Sequence, residues 1–195
     1  MDQVSRQLKE RASTIHSEDP AQIRREVVEA LKESIPCGLA LFFRCVKDGE
    51  GENYQFTDPV LVGDSKFAAE LKPYCEREAF GVPWLPETVN PEEIDNFMRL
   101  RSSYGDSYMD YAMNREVLDP MGVADQLRVV LYEGRKMVGW LGLMRRGTSN
   151  SGFRVYERNQ AAAAVGSLKS ALVASNTLEQ QQMQGLFAMF WPGGQ

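Results

Sequence analysis

The chain has 195 residues, 43% of them hydrophobic, and a net charge of −5 with a pI near 5.1. That length fits one domain with extra helices better than two, with enough apolar content for a core. The acidic balance argues against a dedicated nucleic-acid surface, since phosphate binding depends on clustered Lys and Arg; the doublets Arg24-Arg25 and Arg145-Arg146 read as solvated ends or faces.

The start, MDQVSRQLKE, is charged and lacks an apolar leader, and no run approaches a membrane span. Cys37, Cys45 and Cys75 form an odd set without metal-ligand spacing. Cys37 and Cys45 fall at opposite ends of one expected strand, too far apart to bridge. A reducing cytoplasm is the natural setting.

Val4, Leu8, Ala12 and Ile15 recur at helical spacing and predict a short amphipathic helix over 2–16. Alone it would be marginal, so it must dock. Asp19-Pro20 opens a second helix: Asp19 suits the N-cap, Pro20 the first position, and Gln22 the third place of a capping box. Ile23, Val27, Ala30 and Leu31 form its stripe, and Ile35-Pro36 stops it. Residues 1–18 are thus set apart from a main domain over 19–180.

Gly38 to Val46 reads as a strand apolar on both faces, and Tyr54 to Val62 as a second. Asp58-Pro59 interrupts the second, so it is an edge strand or carries a bulge. Asp64-Ser65 caps a helix with Phe67, Leu71, Tyr74 and Cys75 inward, interrupted or kinked by Pro73. Residues 81–86 are extended and a candidate edge strand. Asn90-Pro91 starts a helix that takes in Ile94, Phe97, Met98 and Arg101. Tyr104, Tyr108 and Tyr111 then share one helical face, either lining a pocket or packing with their hydroxyls at the rim.

Leu127 to Arg146 is the centre of the sequence: two strand-favouring runs, apolar on both pleat faces, around a turn at Gly134. It predicts a hairpin in mid-sheet, covered on both sides. A two- or four-residue loop puts Leu127, Val129, Leu131, Val138, Trp140 and Met144 on one face. Arg128, Val130, Tyr132, Met137, Gly139, Leu141 and Leu143 share the other; a three-residue loop reverses this. The second face offers Arg128, Tyr132 and a gap at Gly139 to a polar ligand group. Equally, Arg128 snorkels to the edge and Gly139 relieves crowding.

Phe153 to Tyr156 leads into a long helix reaching about Gln184, with Ala161, Ala164, Val165, Leu168, Leu172 and Val173 as its stripe. The terminal helices either pair within the chain or dimerise. The tail, over 181–195, concentrates Leu186, Phe187, Phe190 and Trp191. So much aromatic area folds back on the domain or docks on a protein partner.

No catalytic residues are identified. His16 reads as plain surface, no phosphate-binding glycine motif is present, and neither a metal site nor a cofactor is expected.

The element order, with VLDPMGVADQLRVVLYEGRKMVGWLGLMRRG, then Phe153 and Tyr156-Glu157-Arg158, resembles the GAF domain. It is most like the sensor regions of LuxR-type bacterial transcription regulators. Leu118, Pro120, Gly122 and Leu127 match that family's turn into the strand pair, and Gly139 to Gly142 its strand core. The resemblance covers roughly the last two-thirds of the chain. It implies an α/β (α+β) fold: an antiparallel sheet of about five or six strands with helices on both faces and long terminal helices. It also implies a non-enzymatic sensor or adaptor in bacterial signalling or transcription regulation. Such a domain acts through protein contacts, with a homodimer and a small ligand as further options, and without direct nucleic-acid or membrane binding. Trp84, Tyr104, Tyr108, Arg128, Tyr132 and Trp140 are the pocket residues by this analogy. The sequence departs from the LuxR pattern in lacking a helix-turn-helix after the closing helix, so a truncated regulator is one alternative. A cysteine-dependent enzyme resembling free methionine sulfoxide reductase is another, although the three cysteines do not match that pattern.

Overall fold

Among the described residues, five antiparallel strands form the sheet, in the order β2-β1-β5-β4-β3. They are β1 (Leu39–Lys47), β2 (Tyr54–Gly63), β3 (Met98–Arg99), β4 (Val123–Glu133) and β5 (Lys136–Arg146). The helices are α1 (Gln3–Ser13), α2 (Pro20–Ser34), α3 (Ser65–Cys75) and α4 (Val155–Phe190). The structure, a computed structural model, describes residues 3–47, 54–75, 98–99, 114–134, 136–147 and 152–190. The expected strand over 81–86 and the tyrosine face of Tyr104, Tyr108 and Tyr111 lie outside the described residues.

β5 pairs with β4 on one edge and β1 on the other, and residues 124–132 and 137–144 are all buried. Helices cover both faces. Ala40, Phe42, Leu127, Val129, Leu131, Leu141 and Leu143 pack under α2 and α4. Leu41, Phe43, Val130, Tyr132, Trp140 and Met144 face the other way, where Phe67 and Leu71 of α3 join them.

The face assignment expected for the hairpin needs correction. Glu133 pairs with Lys136 around a two-residue turn, and Gly134 takes φ 60 there. Tyr132 then pairs with Met137, but Leu131 pairs with Gly139. Val138 is therefore an extra residue, a bulge that leaves two β5 residues opposite one gap in β4. Beyond it every β5 side chain changes sides. Trp140 and Met144 join Val130 and Tyr132, while Gly139, Leu141 and Leu143 join Leu131. Gly139 is not an open gap for a ligand. A Cβ there would lie 2.5 Å from the Phe42 ring and 2.7 Å from the Phe43 carbonyl oxygen.

A second bulge sits in β2. Phe42 pairs with Val60 and Arg44 with Thr57, so Phe43 opposes both Asp58 and Pro59. β2 is an edge strand, as proline's missing N–H requires, and Asp58 takes φ 51 at the irregularity. Met98 is in a strand and not in the helix expected from Asn90: Met98 and Arg99 pair with Arg128 and Leu127. Pairing to an edge outweighs the helical spacing of those residues.

α2 starts as expected, with the Asp19 carboxylate accepting from the Ala21 amide at 2.9 Å, and Ile35 caps its end. The capping box does not form. Gln22 donates to Glu26 at 2.7 Å, and the Asp19 amide donates to the Ser17 hydroxyl. Asp64 caps α3 through the Phe67 amide at 2.8 Å. The terminal helices meet within the chain. Ala12 of α1 is buried in the same cluster as Ala161, Ala164, Leu168 and Leu172 of α4, and Arg11 pairs with Glu33. α4 runs on through the expected tail, so Leu186, Phe187 and Phe190 are helical; Trp191 lies outside the described residues.

Neither basic doublet is simply solvated. Arg24 is 3% exposed and donates to Glu179 of α4 at 2.6 Å. Arg44 pairs with the same Glu179 and with Asp58, at 3.3 Å for the latter. This cluster joins α2, β1, β2 and α4. Arg145 grips Glu157 with both Nη atoms, at 2.8 and 3.2 Å, and lies 4.2 Å over the Phe153 ring. Glu157 also accepts from the Arg154 amide at 2.7 Å, the returning half of a capping box at the start of α4. Asp125, fully buried, accepts from the Phe153 amide at 2.9 Å. These bonds pin the N-terminus of α4 to the base of the hairpin.

Two predictions follow from this packing. Gly139→Ala overpacks the sheet and lowers stability by about 1–3 kcal/mol, whereas Gly166→Ala, where a Cβ meets nothing within 4 Å, raises it by about 0.5–1 kcal/mol; urea unfolding of both variants checks the contrast. Burial pushes the Glu157 carboxyl up, but hydrogen bonds from Arg145 and the Arg154 amide outweigh it, so the group is held below its ordinary 4.5. Its contribution is present above that pH and is lost as pH falls through the lower folded value. Acid unfolding of Glu157→Gln should therefore lose part of the pH dependence that the parent shows below about 4.5.

Candidate functional site

The sheet face away from α4 gathers the polar groups that a two-sided apolar sheet would otherwise exclude. Gln126, Arg128, Val130 and Tyr132 follow one another along β4 at alternate positions, hence on one pleat face. The Val138 bulge adds Trp140 to that face, directly opposite Val130. Arg128 is opposite Gly142 on one side and Met98 of β3 on the other.

Arg128 does not snorkel out; it is 5% exposed. Its guanidinium carbon sits 4.2 Å from the centre of the Trp140 ring, and its Nη2 donates to the Gln126 side-chain oxygen at 2.7 Å. A guanidinium stacked on indole and bonded to an amide is held flat and in place. Trp140 is sandwiched: Phe43 stacks on it with centroids 4.6 Å apart and planes 21° off parallel. The gap beside Arg128 is at Gly142. A Cβ there would lie 2.9 Å from the Trp140 ring, so the missing side chain is what lets the indole lie down.

Trp140 is 1% exposed, and among the described residues its indole N–H has no acceptor. A buried donor left without a partner costs about 1–3 kcal/mol.

Of the six expected pocket residues, Arg128, Tyr132 and Trp140 are brought onto one face. Trp84, Tyr104 and Tyr108 lie outside the described residues. Sequence reasoning missed Gln126, Phe43 and Gly142. Gln126 had a signal: it is a polar residue two positions before Arg128 in an otherwise apolar strand. Phe43 and Gly142 had none, because their role depends on which way the bulge turns Trp140.

Burial makes Cys37 and Cys45 poor nucleophiles. Burial pushes the Cys37 thiol up to about 11 and the Cys45 thiol higher still; the thiolate is the reactive form. They stand at opposite ends of β1, roughly 26 Å apart at the rise of an extended strand. The Cys75 side chain lies outside the described residues. His16 is exposed. Among the described residues no group of His, Cys, Asp and Glu could hold a metal ion. Among them, too, no helix is long and apolar enough to cross a membrane.

No protein-family model matches this chain, and no curated protein matches it in sequence. Solved structures do match it in shape. A GAF domain from Synechocystis sp., in its photoproduct state, superposes with a TM-score of 0.59 at 14% identity, covering 84% of this chain and 99% of that one. A GAF domain/HD domain protein from Geobacter sulfurreducens gives 0.56 at 11% identity, covering 87% and 99%.

The chain has a GAF-type fold.

A free methionine-R-sulfoxide reductase from Neisseria meningitidis, solved with its substrate, gives 0.52 at 13% identity, covering 91% and 94%. At such identities the likeness is one of fold. It bears out the expected antiparallel sheet with helices on both faces, here of five strands. In this GAF-type fold the face of Arg128 and Trp140 is the one opposite α2 and α4.

The face makes its own prediction. Trp140→Phe keeps the ring stack with Phe43 but removes the unpartnered donor. Its stability should change by less than about 1 kcal/mol, whereas Trp140→Ala should cost about 3–5 kcal/mol. Denaturant midpoints of the two variants check this.

Proposed function

We propose that this protein is a non-enzymatic GAF-type sensor that holds a small ligand over the Arg128–Trp140 face and passes the signal on through protein contacts. The GAF-type fold is shared with the Geobacter GAF domain/HD domain protein. The observation that carries the ligand half is the buried Trp140 N–H, without an acceptor among the described residues, beside a guanidinium immobilised by Gln126 and the indole. A ligand carbonyl, carboxylate or phosphate oxygen would satisfy that donor. Tyr132 is on the same face, and Trp84, Tyr104 and Tyr108 are the remaining pocket residues under this reading.

The setting in bacterial signalling or transcription regulation rests on the sequence likeness to LuxR-type sensor regions at Leu118, Pro120, Gly122 and Leu127. A cytoplasmic place accords with the free thiols of Cys37 and Cys45 among the described residues. The contact half rests on α4, whose last turns carry Leu186, Phe187 and Phe190, followed by Trp191. A homodimer is one form these contacts could take. The raised Cys37 and Cys45 thiols weigh against a sulfoxide-reducing enzyme.

Native mass spectrometry and thermal shifts with nucleotide and metabolite panels test the ligand half. A ligand that raises Tm should lose at least tenfold in affinity with Arg128→Met. In a chain carrying Trp84→Phe and Trp191→Phe, Trp140 is the sole tryptophan, and its fluorescence should shift on binding. No hit in the panels, or a hit indifferent to Arg128→Met, overturns the site. Removing residues 186–195 should abolish recovery of a partner or change the oligomeric state; no change in either overturns the contact half.

A further inference from the structure

A second cavity lies on the opposite side of the sheet from Trp140. It has a volume of about 150 Å³ and sits where the tip of the β4–β5 hairpin meets the end of β1 and the middle of α4. Arg44, Glu133, Lys136, Val138, Asn176 and Thr177 are among its walls. The stripe of α4 that packs on the sheet is apolar at Leu168 and Leu172, then turns polar where it reaches this space. Val173, Asn176, Thr177 and Gln180 line it at the spacing of one helical face.

Some of these polar groups are already engaged. Arg44 is neutralised by Glu179 and Asp58, and the Thr177 hydroxyl donates to the Val173 carbonyl at 3.1 Å. Three are not. The Asn176 side-chain oxygen is buried and, among the described residues, accepts no hydrogen bond. Among the described residues Glu133 and Lys136 have no ion-pair partner, although they face each other across the turn. One buried acceptor thus borders the same small space as an exposed carboxylate and an exposed ammonium at its mouth.

We propose that this cavity binds a small zwitterion of the α-amino-acid class. An ammonium group supplies donors for the Asn176 oxygen and meets the charge of Glu133, and a carboxylate meets Lys136. Engaged as it is, Arg44 brings no net positive charge, which favours a ligand of zero net charge over an anion. An apolar cavity of about 150 Å³ holds benzene, so about six heavy atoms fit; glycine, alanine and serine are of that size. The site is separate from the Arg128 face, and either can fail without the other.

Calorimetry and thermal unfolding of the full chain with glycine, L-alanine and L-serine test it. At least one should bind with one-to-one stoichiometry and raise Tm by about 3 °C at a tenfold excess over Kd. Lys136→Met should weaken that binding at least tenfold. Asn176→Leu, which fills the space and removes the orphan acceptor, should abolish it without lowering the ligand-free Tm. If Asn176→Leu does not fold, Lys136→Met and Glu133→Gln decide. No binding by any of the three amino acids, which would leave a cavity holding only water, overturns the proposal. So does binding that survives these variants at parental affinity.

Discussion

β5 is hydrogen-bonded along both edges and covered on both faces, and this double confinement governs everything built around it. From Met137 to Met144 every residue is buried, so each side chain there must fit one of two packed layers. A single extra residue, Val138, decides which layer receives each later side chain. Without that bulge Trp140 would point at α4, where Phe42 and Leu131 already fill the space, and Leu141 would face Arg128. The bulge is what allows one face to remain an aliphatic bed for helices while the other gathers an indole, a guanidinium and an amide.

The two glycines of β5 serve these two layers differently. Gly139 allows the Phe42 ring and the β1 backbone to close on the helix side; Gly142 gives the Trp140 indole room on the other. Both are places where a Cβ would displace a ring, and both sit near the middle of the sheet. Apart from Arg128, the charged groups among the described residues sit at the periphery of the layers. The Arg145–Glu157 pair, with Asp125, anchors the start of α4. The Arg24–Glu179–Arg44–Asp58 cluster holds α4 about six turns further on, where the irregular part of β2 also attaches. Removing one member of such a partly buried set leaves its partner desolvated, which is why these pairs bear on geometry more than on net stability.

This arrangement links the two ends of the molecule. α4 is fastened at its first turn to the hairpin base and again at Glu179, beside the polar cavity under the hairpin tip. Beyond Glu179 it continues to Phe190. A ligand that altered the position of Arg44 or Asn176 would act on the part of α4 from which the aromatic end extends.

Much of the fold was legible in the sequence alone, because it is written in local chemistry. Asp19-Pro20 and Asp64 cap helices wherever they occur, Ile35-Pro36 ends one, and Pro59 confines its strand to an edge. Continuous apolar runs in Leu39–Val46 and Leu127–Met144 show that both faces of those strands are covered. Arg128 and Tyr132 could be named as candidates from their polar character in such runs, and Trp140 from the family resemblance. Their meeting could not, since side-chain parity along a strand reverses with every inserted residue, and the propensity of Val138 carries no mark of a bulge. The same holds for Met98, whose helical spacing yields to the hydrogen bonds offered by β4, and for Arg24 and Arg145, whose burial depends on acids 155 and 12 residues away. Capping and periodicity are properties of neighbours along the chain; register, and the partners of a buried charge, exist only once distant segments have come together.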